Sequence, residues 1–375
     1  MQGNAGGDPF VFADALGPAK IVHVYEPGLG LRGTLVVDNV ACGPSIGGLR
    51  MAPDVSTEEC FRLARAMTLK NAAAGLPHGG GKSVLVGDPH GPREHKERLI
   101  RAFAAALRGV TDYIFGPDMG TDETCMAFVH DEIGRAVGLP RELGGIPLDE
   151  LGATGFGLRF AVEVAARHAG VSLAGARFVV QGFGSVGIHA ARRLVAEGAR
   201  LVGVSDSRGA IADASGLDVE ALVALKQAGK GVAEHGAGQR VGASELVALP
   251  CEIWIPAARP DAIRAEEAAR LQARLVVPGA NIAVTDAAER RLAERGVLCV
   301  PDFIANAGGV ICAAMEWRGA TEAAAFAAIE ERIRANTEAV LEASRRRGVL
   351  PREAAVDLAS ERVRRAMQTR RFSIF

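Results

Sequence analysis

One glycine-rich segment and its surroundings restrict the fold of this 375-residue chain more than any other feature. Residues 181–187 have the sequence QGFGSVG, a G-x-G-x-x-G pattern that follows the apolar run ARFVVQ (176–181) and opens a predicted helix over 187–197. The next predicted strand, 199–206, ends in Asp206, 19 residues after the last glycine. In such a segment the first glycine makes a turn, the second lets a pyrophosphate approach the backbone, and the third lets helix and strand pack closely. The segment therefore predicts a dinucleotide-binding fold.

The same segment supplies candidate cofactor-binding residues. Asp206 favours NAD because its charge would repel the 2′-phosphate of NADP, whereas Arg208 could pair with that phosphate and keeps NADP possible. We predict that the dinucleotide contacts the glycine-rich segment and the end of the following strand, at Gly182, Phe183, Gly184, Ser185, Val186, Gly187, Asp206 and Ser207.

The predicted secondary structure differs between the two halves of the chain. In the first half, a glycine-rich loop leads into a short strand, and we predict strands at 20–26, 33–41 and 83–86 and helices at 57–74, 94–108 and 122–137. From about residue 153, helices and strands alternate, which predicts a parallel, doubly wound sheet. Its further elements are helix 153–169, short strands at 251–255, 274–279 and 297–302, and long helices at 320–346 and 351–369.

Two α/β domains around a cleft are therefore predicted, in line with the length of the chain. Residues 1–147, completed by C-terminal helices at about 335–375, would form the first domain. Residues 148–334 would form a Rossmann-type, doubly wound dinucleotide-binding domain.

Composition and charge argue against several classes of protein. Basic and acidic residues number 43 and 44, which fits neither a nucleic-acid-binding surface nor an acidic tail. No apolar run approaches the ~18 residues of a membrane span, and the first 19 residues contain no lysine or arginine, unlike a signal peptide. The six cysteines and eight histidines show neither disulfide nor metal-ligand spacing. We expect reduced cysteines, no metal, no nucleic-acid or membrane partner, and a cytoplasmic protein.

Lys82 follows three glycines in PHGGGKS (77–83), a pattern with more than one interpretation. A phosphate-binding P-loop would need glycine at position 76, where the chain has Leu76, and a helix after the lysine, where a strand is predicted. A desolvated amine that acts as a general base and a solvated lysine in a turn both remain open.

Three further polar residues lie in segments rich in glycine or proline. Lys70, near the end of the predicted helix 57–74, could hold a carboxylate or extend into solvent. Asp118 in GPDMGTDE (116–123) and Asp302 in VPDFIANAGG (300–309) could each be an ordinary helix N-cap.

Taken together, the motifs resemble the glutamate/leucine/phenylalanine/valine dehydrogenase family along nearly the whole chain. The N-terminal part, which is expected to bind the substrate, looks closest to the leucine and phenylalanine enzymes, whereas residues 204–220 look more like glutamate dehydrogenases. The matching stretches are GPSIGGLRM (43–51), MTLKNAAAGLPHGGGK (67–82), GPDMGTDE (116–123), ATGFG (153–157), QGFGSVG (181–187), IPAA (255–258), GAN (279–281) and PDFIANAGGV (301–310).

The resemblance implies reversible, NAD(P)-dependent oxidative deamination of an L-amino acid to a 2-oxo acid and ammonia, by a homo-oligomer whose first domain binds substrate and mediates oligomerisation. Lys82 then matches the catalytic lysine, Asp118 the aspartate that assists proton transfer, and Lys70 the lysine that binds the α-carboxylate. Thr154 and Asn281 match positions near the nicotinamide and its ribose, and Asn306 matches the asparagine that helps place the substrate near the nicotinamide. Ala257 and Ala258 are further expected cofactor-binding residues.

Two positions argue for an apolar substrate. Glutamate enzymes carry a lysine 24 residues before the carboxylate-binding lysine and a serine three residues after the valine of NAGGV, where this chain has Ile46 and Ala313. A γ-carboxylate left unpaired there would cost several kcal/mol, unless another cation such as Arg50 pairs with it. We therefore predict a branched-chain or aromatic substrate, with glutamate as the alternative. The expected substrate-binding residues are Lys70, Ile46, Gly47, Met67, Gly116, Asn306, Val310 and Ala313.

Two functions of other classes are weaker alternatives. A P-loop phosphotransferase lacks the required glycine at position 76, and a catalytically silent dinucleotide-binding scaffold would be expected to lose Lys70, Lys82 or Asp118.

Overall fold

The computed structural model describes residue 8, residues 10–148 and residues 150–370. The chain forms two compact units. Unit 1 contains the described residues up to Pro147, together with Ala313–Glu322 and the residues from Ala359 on, and unit 2 contains Leu148–Cys312 and Ala323–Leu358. The outer ends of the predicted first domain, residues 1–7 and 371–375, lie outside the described residues.

Unit 1 is built on a five-stranded mixed sheet in the order β1-β2-β4-β3-β5. Its strands are β1 (Lys20–Glu26), β2 (Leu31–Asn39), β3 (Ser45–Ala52), β4 (Gly79–Val86) and β5 (Tyr113–Pro117). Strand β3 lies parallel to both of its neighbours, whereas β2 lies antiparallel to β1 and β4. The helices of this part are α1 (Thr57–Ala73), α2 (Arg93–Ala106) and α3 (Glu123–Ile133). A core that includes Leu35, Leu49, Phe103 and Phe115 fixes the sheet against α2 and α3.

The prediction of a glycine-rich loop before Lys82 was wrong. Gly79, Gly80 and Gly81 are the first residues of strand β4 and form its pairs with β2 and β3. They serve close packing, because a Cβ at Gly80 would lie 2.0 Å from the Thr68 nitrogen of α1. Strand β3 went unpredicted, since its adjacent glycines, Gly47 and Gly48, have low strand propensity.

Unit 2 is built on a seven-stranded sheet in the order β12-β11-β10-β6-β7-β8-β9. Its strands are β6 (Arg177–Gln181), β7 (Arg200–Asp206), β8 (Gly209–Ala212), β9 (Gln239–Val241), β10 (Ile253–Pro256), β11 (Leu275–Val276) and β12 (Leu298–Cys299). The five strands from β12 to β7 are parallel, as predicted. Strands β8 and β9 are antiparallel, because residues 207–208 join β7 to β8 in a tight hairpin, which leaves no room for a crossover helix.

Helices lie before, between and after these strands in residues 150–370. They are α4 (Ala153–Ala169), α5 (Ser185–Ala196), α6 (Val219–Gln227), α7 (Ala243–Val247), α8 (Ala265–Arg270), α9 (Asp286–Glu294), α10 (Asp302–Ala305), α11 (Gly308–Trp317), α12 (Glu322–Arg347) and α13 (Pro351–Thr369). The two predicted long helices correspond to α12 and α13. The unit boundary divides them, since residues 323–358 belong to unit 2 and those from Ala359 on to unit 1. Among the described residues, no helix is both long enough and apolar enough to span a bilayer.

Candidate active site

One face of the unit 1 sheet carries the predicted catalytic lysine. A Cβ at Gly48 of β3 would lie 3.2 Å from Lys82 Nζ and 2.7 Å from Asp118 Cβ, so Gly48 faces both side chains. Side chains alternate along a strand, and neighbours in register share a face. Ile46 therefore lies on this face too, and Gly116 joins it because it pairs with Gly48 in the register of β3 and β5. We call this surface the lysine face.

Lys82, Asp118, Arg50 and Glu59 form a chain of opposite charges on the lysine face. Lys82 Nζ pairs with Asp118 Oδ2, to which Arg50 Nε also donates at 3.2 Å. Arg50 Nη1 then donates to Glu59 Oε1 at 2.6 Å. The Lys82 side chain is only 7% exposed. The four charges thus compensate one another where little water reaches the lysine.

The electrostatic surroundings keep Asp118 ionised. Although burial raises it, the positive charges of Lys82 and Arg50 lower the pKa of Asp118 to about 2. Burial likewise opposes the positive charge of Arg50, yet Asp118 and Glu59 raise the pKa of Arg50 above its usual value. Asp118 can therefore fix and charge-balance the lysine amine, with no proton of its own near neutral pH.

Backbone contacts fix the loop that bears Asp118. Its amide donates to Thr121 Oγ1 at 3.0 Å, and the Thr121 hydroxyl donates to the Leu49 carbonyl oxygen at 2.7 Å. On the opposite face of the sheet, the Tyr113 hydroxyl donates to the Gly47 carbonyl oxygen at 2.7 Å. The sequence gives no signal for the contact of Thr121 with Leu49 or of Glu59 with Arg50, because both partners lie on strand β3.

Several alternatives from the sequence are resolved by these positions. Asp118 is not a helix N-cap, since Asp122 caps α3 by accepting from the Cys125 amide at 2.9 Å. Lys70 lies in the last turn of α1 and is buried, so it does not extend into solvent. The P-loop interpretation was wrong, because the lysine and its glycines form a strand with no helix after the lysine.

The cysteines and other potential ligands support no further chemistry here. All six cysteines are free. The Cys60 thiol lies against the Lys82 backbone carbonyl, and burial raises the pKa of this thiol to about 12. In the part of the chain that the structure describes, no group of three or more His, Cys, Asp or Glu side chains could hold a metal ion.

The glycine-rich segment of unit 2 has the geometry that a pyrophosphate needs. Gly182 has φ +108°, and a Cβ there would lie 2.6 Å from Ala258, while a Cβ at Gly187 would lie 2.1 Å from the Gly182 oxygen. Gly184 is the exposed N-cap residue of α5, and among the described residues no side chain caps this helix. Apart from its own chain neighbours, no described residue lies within 4 Å of a Cβ built at Gly184. Open space in front of helix amides is the arrangement that binds a phosphate group. The residues thus fit a dinucleotide.

The remaining predicted cofactor residues come together in unit 2. A Cβ at Gly279 would lie 2.9 Å from a Val186 methyl and 3.2 Å from that of Ala257. Asn306 Nδ2 donates to Asn281 Oδ1 at 3.0 Å, and a Cβ at Gly309 would lie 3.2 Å from Thr154 Oγ1. Phe183 is buried, whereas Ser185 and Ser207 are exposed.

Two networks in unit 2 were missed by sequence reasoning. Asp206 Oδ2 accepts from Lys226 Nζ of α6 at 2.7 Å, although only Arg208 was considered as a basic neighbour. Asp302 is not a helix N-cap: its Oδ1 accepts from Arg352 of α13 at 2.8 Å and its Oδ2 from the Ile282 amide at 2.6 Å. Arg352 also donates to the buried Glu289 at 2.7 Å. These partners are 20 or more residues apart in sequence, so no local sequence pattern predicts the contacts between them.

The other predicted substrate residues have separate positions. Met67 on α1 and Val310 on α11 are half-buried, and Ala313 on α11 is buried. Gly116 has space for a Cβ, with its nearest neighbour, a Val137 methyl, at 3.7 Å.

A dinucleotide-type sheet with an open phosphate site, in a chain that also carries a buried lysine–aspartate pair suited to proton transfer, defines a nucleotide-dependent oxidoreductase. Comparison with known proteins makes this class specific. Residues 144–371 match the family model described as Glutamate/Leucine/Phenylalanine/Valine dehydrogenase, and residues 22–135 match its dimerisation domain. The chain belongs to this family: it is an amino acid dehydrogenase, an oxidoreductase that uses NAD or NADP. The resemblance and the two-domain α/β fold predicted from the sequence are confirmed.

Named relatives and one solved structure agree with this assignment. The chain is 38% identical to the glutamate dehydrogenase of Aeropyrum pernix over 88% of this chain and 85% of the relative. It is 35% identical to the NADP(+)-dependent glutamate dehydrogenase of Pyrobaculum calidifontis, over 97% and 94%. It is 38% identical to the NAD-specific glutamate dehydrogenase of Staphylococcus aureus strain COL, over 74% and 70%. The hetero-hexameric glutamate dehydrogenase from Thermus thermophilus, in a Leu-bound form, superposes with a TM-score of 0.86 at 32% identity, over 95% of this chain and 91% of that one.

Proposed function

We propose that this protein catalyses the reversible, NAD(P)-dependent oxidative deamination of an apolar L-amino acid to its 2-oxo acid and ammonia. The observation that carries the proposal is the position of Ile46 on the lysine face. Ile46 lies two residues before Gly48, so the two side-chain positions are about 6.5 Å apart along the strand on the same face. An apolar group thus occupies the position where a γ-carboxylate would need a cation.

Arg50 offers no substitute for that cation. It lies on the same face, but its guanidinium already pairs with Asp118 and Glu59. Pairing with a substrate carboxylate would require it to leave these partners, so that Glu59 would lose the Arg50 contact and Asp118 would keep Lys82 alone. An apolar side chain placed against Ile46 would instead gain ~1.5–3 kcal/mol by burial.

The chain's own residues have distinct roles in this proposal. Lys70 holds the α-carboxylate of the substrate. Lys82 Nζ, fixed by Asp118, acts after its ammonium has lost a proton to solvent: the neutral amine takes the proton from the water that attacks the oxidised Cα, and the ammonium so formed returns that proton as ammonia departs. Bound NAD(P) supplies the acceptor for the hydride that leaves Cα. Thr154, Asn281 and Asn306 hold the nicotinamide end, and the α5 N-terminus holds the pyrophosphate.

Glutamate is the second candidate substrate, and the names of the similar curated proteins favour it. Against it stand the residues at the two specificity positions, Ile46 and Ala313. A panel of L-amino acids with NAD or NADP, followed by absorbance of the reduced cofactor, decides between the candidates. Higher kcat/KM with leucine, valine or phenylalanine than with glutamate supports the proposal, and the highest value with glutamate refutes it.

We further propose a homo-oligomer, which the match to a dimerisation domain and the hexameric assembly named for the Thermus thermophilus structure support. Light scattering on the purified protein should give a mass of at least two 39.1 kDa chains, and a mass of one chain would refute this. A cytoplasmic location stays a prediction from the sequence.

A further inference from the structure

The carboxylate at the end of β7 faces its own protein. Asp206 Oδ2 accepts from Lys226 Nζ at 2.7 Å and from the Val232 amide at 3.0 Å, and Oδ1 accepts from the Arg208 amide at 2.8 Å. Its side chain is only 5% exposed, whereas that of Lys226 is 28% exposed. The acid therefore has three donors, and its countercharge is the more accessible member of the pair.

This arrangement changes what the acid does to a nucleotide. An acid at this position disfavours NADP because an uncompensated negative charge repels the 2′-phosphate. Here the charge of Asp206 is compensated by a lysine in direct contact. The penalty against a second phosphate is correspondingly small.

The surroundings of Asp206 add positive charge. Ser207 and Arg208 are exposed in the hairpin that follows β7. The Arg208 guanidinium donates to the carbonyl oxygen of Gly229, in the turn that follows α6. Lys226 lies in the last turn of α6, so both cations are held near the same turn. An acid, Glu234, follows this turn, and its carboxylate accepts from the Gly231 amide at 2.8 Å.

Resting on the proposed function, we infer that Lys226 is a cofactor-specificity residue that neutralises Asp206 and so lets the site accept NADP as well as NAD. Asp206 acts as the structural anchor of Lys226, whose partly exposed ammonium lies at the end of β7, where the adenosine ribose of a bound dinucleotide is expected.

Binding of the reduced cofactors without an amino acid tests this inference. Titrations of NADH and NADPH, followed by their fluorescence, should give wild-type Kd values within tenfold of each other. Lys226→Gln keeps a donor for Asp206 and removes only the charge, and it should weaken NADPH about tenfold relative to NADH. Lys226→Arg should keep the wild-type ratio, and Lys226→Met should repeat the effect of the glutamine variant.

The control is Lys230→Met, which removes an exposed lysine four residues further on and should leave the ratio unchanged. A wild-type ratio above tenfold in favour of NADH, a shift below threefold in Lys226→Gln, or an equal shift in Lys230→Met would each overturn the inference. Because no amino acid takes part, failure of the proposed substrate would leave these binding results intact, and the two failures are distinguishable.

Discussion

Glycine serves opposite purposes in the two units. On the unit 1 sheet, glycines let backbones approach so closely that a Cβ at Gly47 would lie 1.7 Å from the Gly81 carbonyl oxygen and one at Gly80 would lie 2.0 Å from the Thr68 nitrogen. In the unit 2 glycine-rich segment, the middle glycine, Gly184, leaves its surroundings open to 4 Å. The unit 1 glycines thus bring neighbouring backbones together, as Gly182 and Gly187 do in unit 2, whereas Gly184 leaves space that a ligand could occupy.

This difference determines which properties each region controls. The lysine face is a rigid sheet whose charges compensate one another internally, so changes there should alter chemistry and folding. The proposed phosphate site is the exposed N-terminus of α5, so changes there should alter binding with little effect on folding.

The largest expected effect is on catalysis at the lysine face. Lys82→Met should lower kcat by at least ~10²-fold, because it removes the proposed general base. NADH affinity should stay within threefold of wild type, since the nucleotide residues belong to unit 2. Steady-state kinetics and NADH titration check the two halves, and turnover within tenfold of wild type would remove Lys82 from the mechanism.

The second effect contrasts the two uses of glycine directly. Gly80→Ala should lower the free energy of unfolding by about 3 kcal/mol, because its methyl group would collide with the backbone of α1. Gly184→Ala should change stability by no more than ~0.5 kcal/mol while weakening NADH binding. Urea unfolding of both variants measures this, and equal destabilisation would contradict the distinction.

Sequence reasoning succeeded best where the signal was local. The strand, glycines, helix and acid of residues 176–206 lie together in the chain, and the parallel strands followed from their alternation with helices. In unit 1, glycines within β3 and β4 concealed the strands, because close packing, and not local propensity, keeps these glycines extended. The resemblance identified Lys82 and Asp118 as a pair, but their partner Arg50 and the contacts of Lys226 and Arg352 depend on tertiary structure.

A third, smaller effect concerns the two buried acids of unit 2 that pair with Arg352. Arg352→Met should destabilise unit 2 by about 2 kcal/mol, because it leaves Glu289 and Asp302 buried without their common cation. The matched control is Arg347→Met, whose partner Asp357 is exposed, and it should cost no more than ~0.5 kcal/mol. Urea unfolding distinguishes them, and equal losses would refute a special role for Arg352.

The smallest effect is the pH dependence of the lysine face. The pKa of Asp118 is lowered to about 2 in the folded protein from an ordinary 3.8, so its pairing stabilises the fold above pH 3.8 and is lost as pH falls towards 2. Between pH 4 and pH 3, the wild type should lose about 1 kcal/mol more stability than Asp118→Asn. Unfolding at several pH values measures this, and parallel pH profiles would show that Asp118 is not held ionised.

Ile46, on the same face as the reactive lysine, is expected to select the substrate together with Ala313. The most direct measurement is the ratio of kcat/KM for leucine to that for glutamate, in the wild type and in the double variant Ile46→Lys, Ala313→Ser. The wild-type ratio should exceed one, and the double variant should shift it towards glutamate, because a cation and a hydrogen-bond donor are added for the γ-carboxylate. A wild-type ratio below one, or a ratio that the double variant leaves unchanged, would contradict the claim.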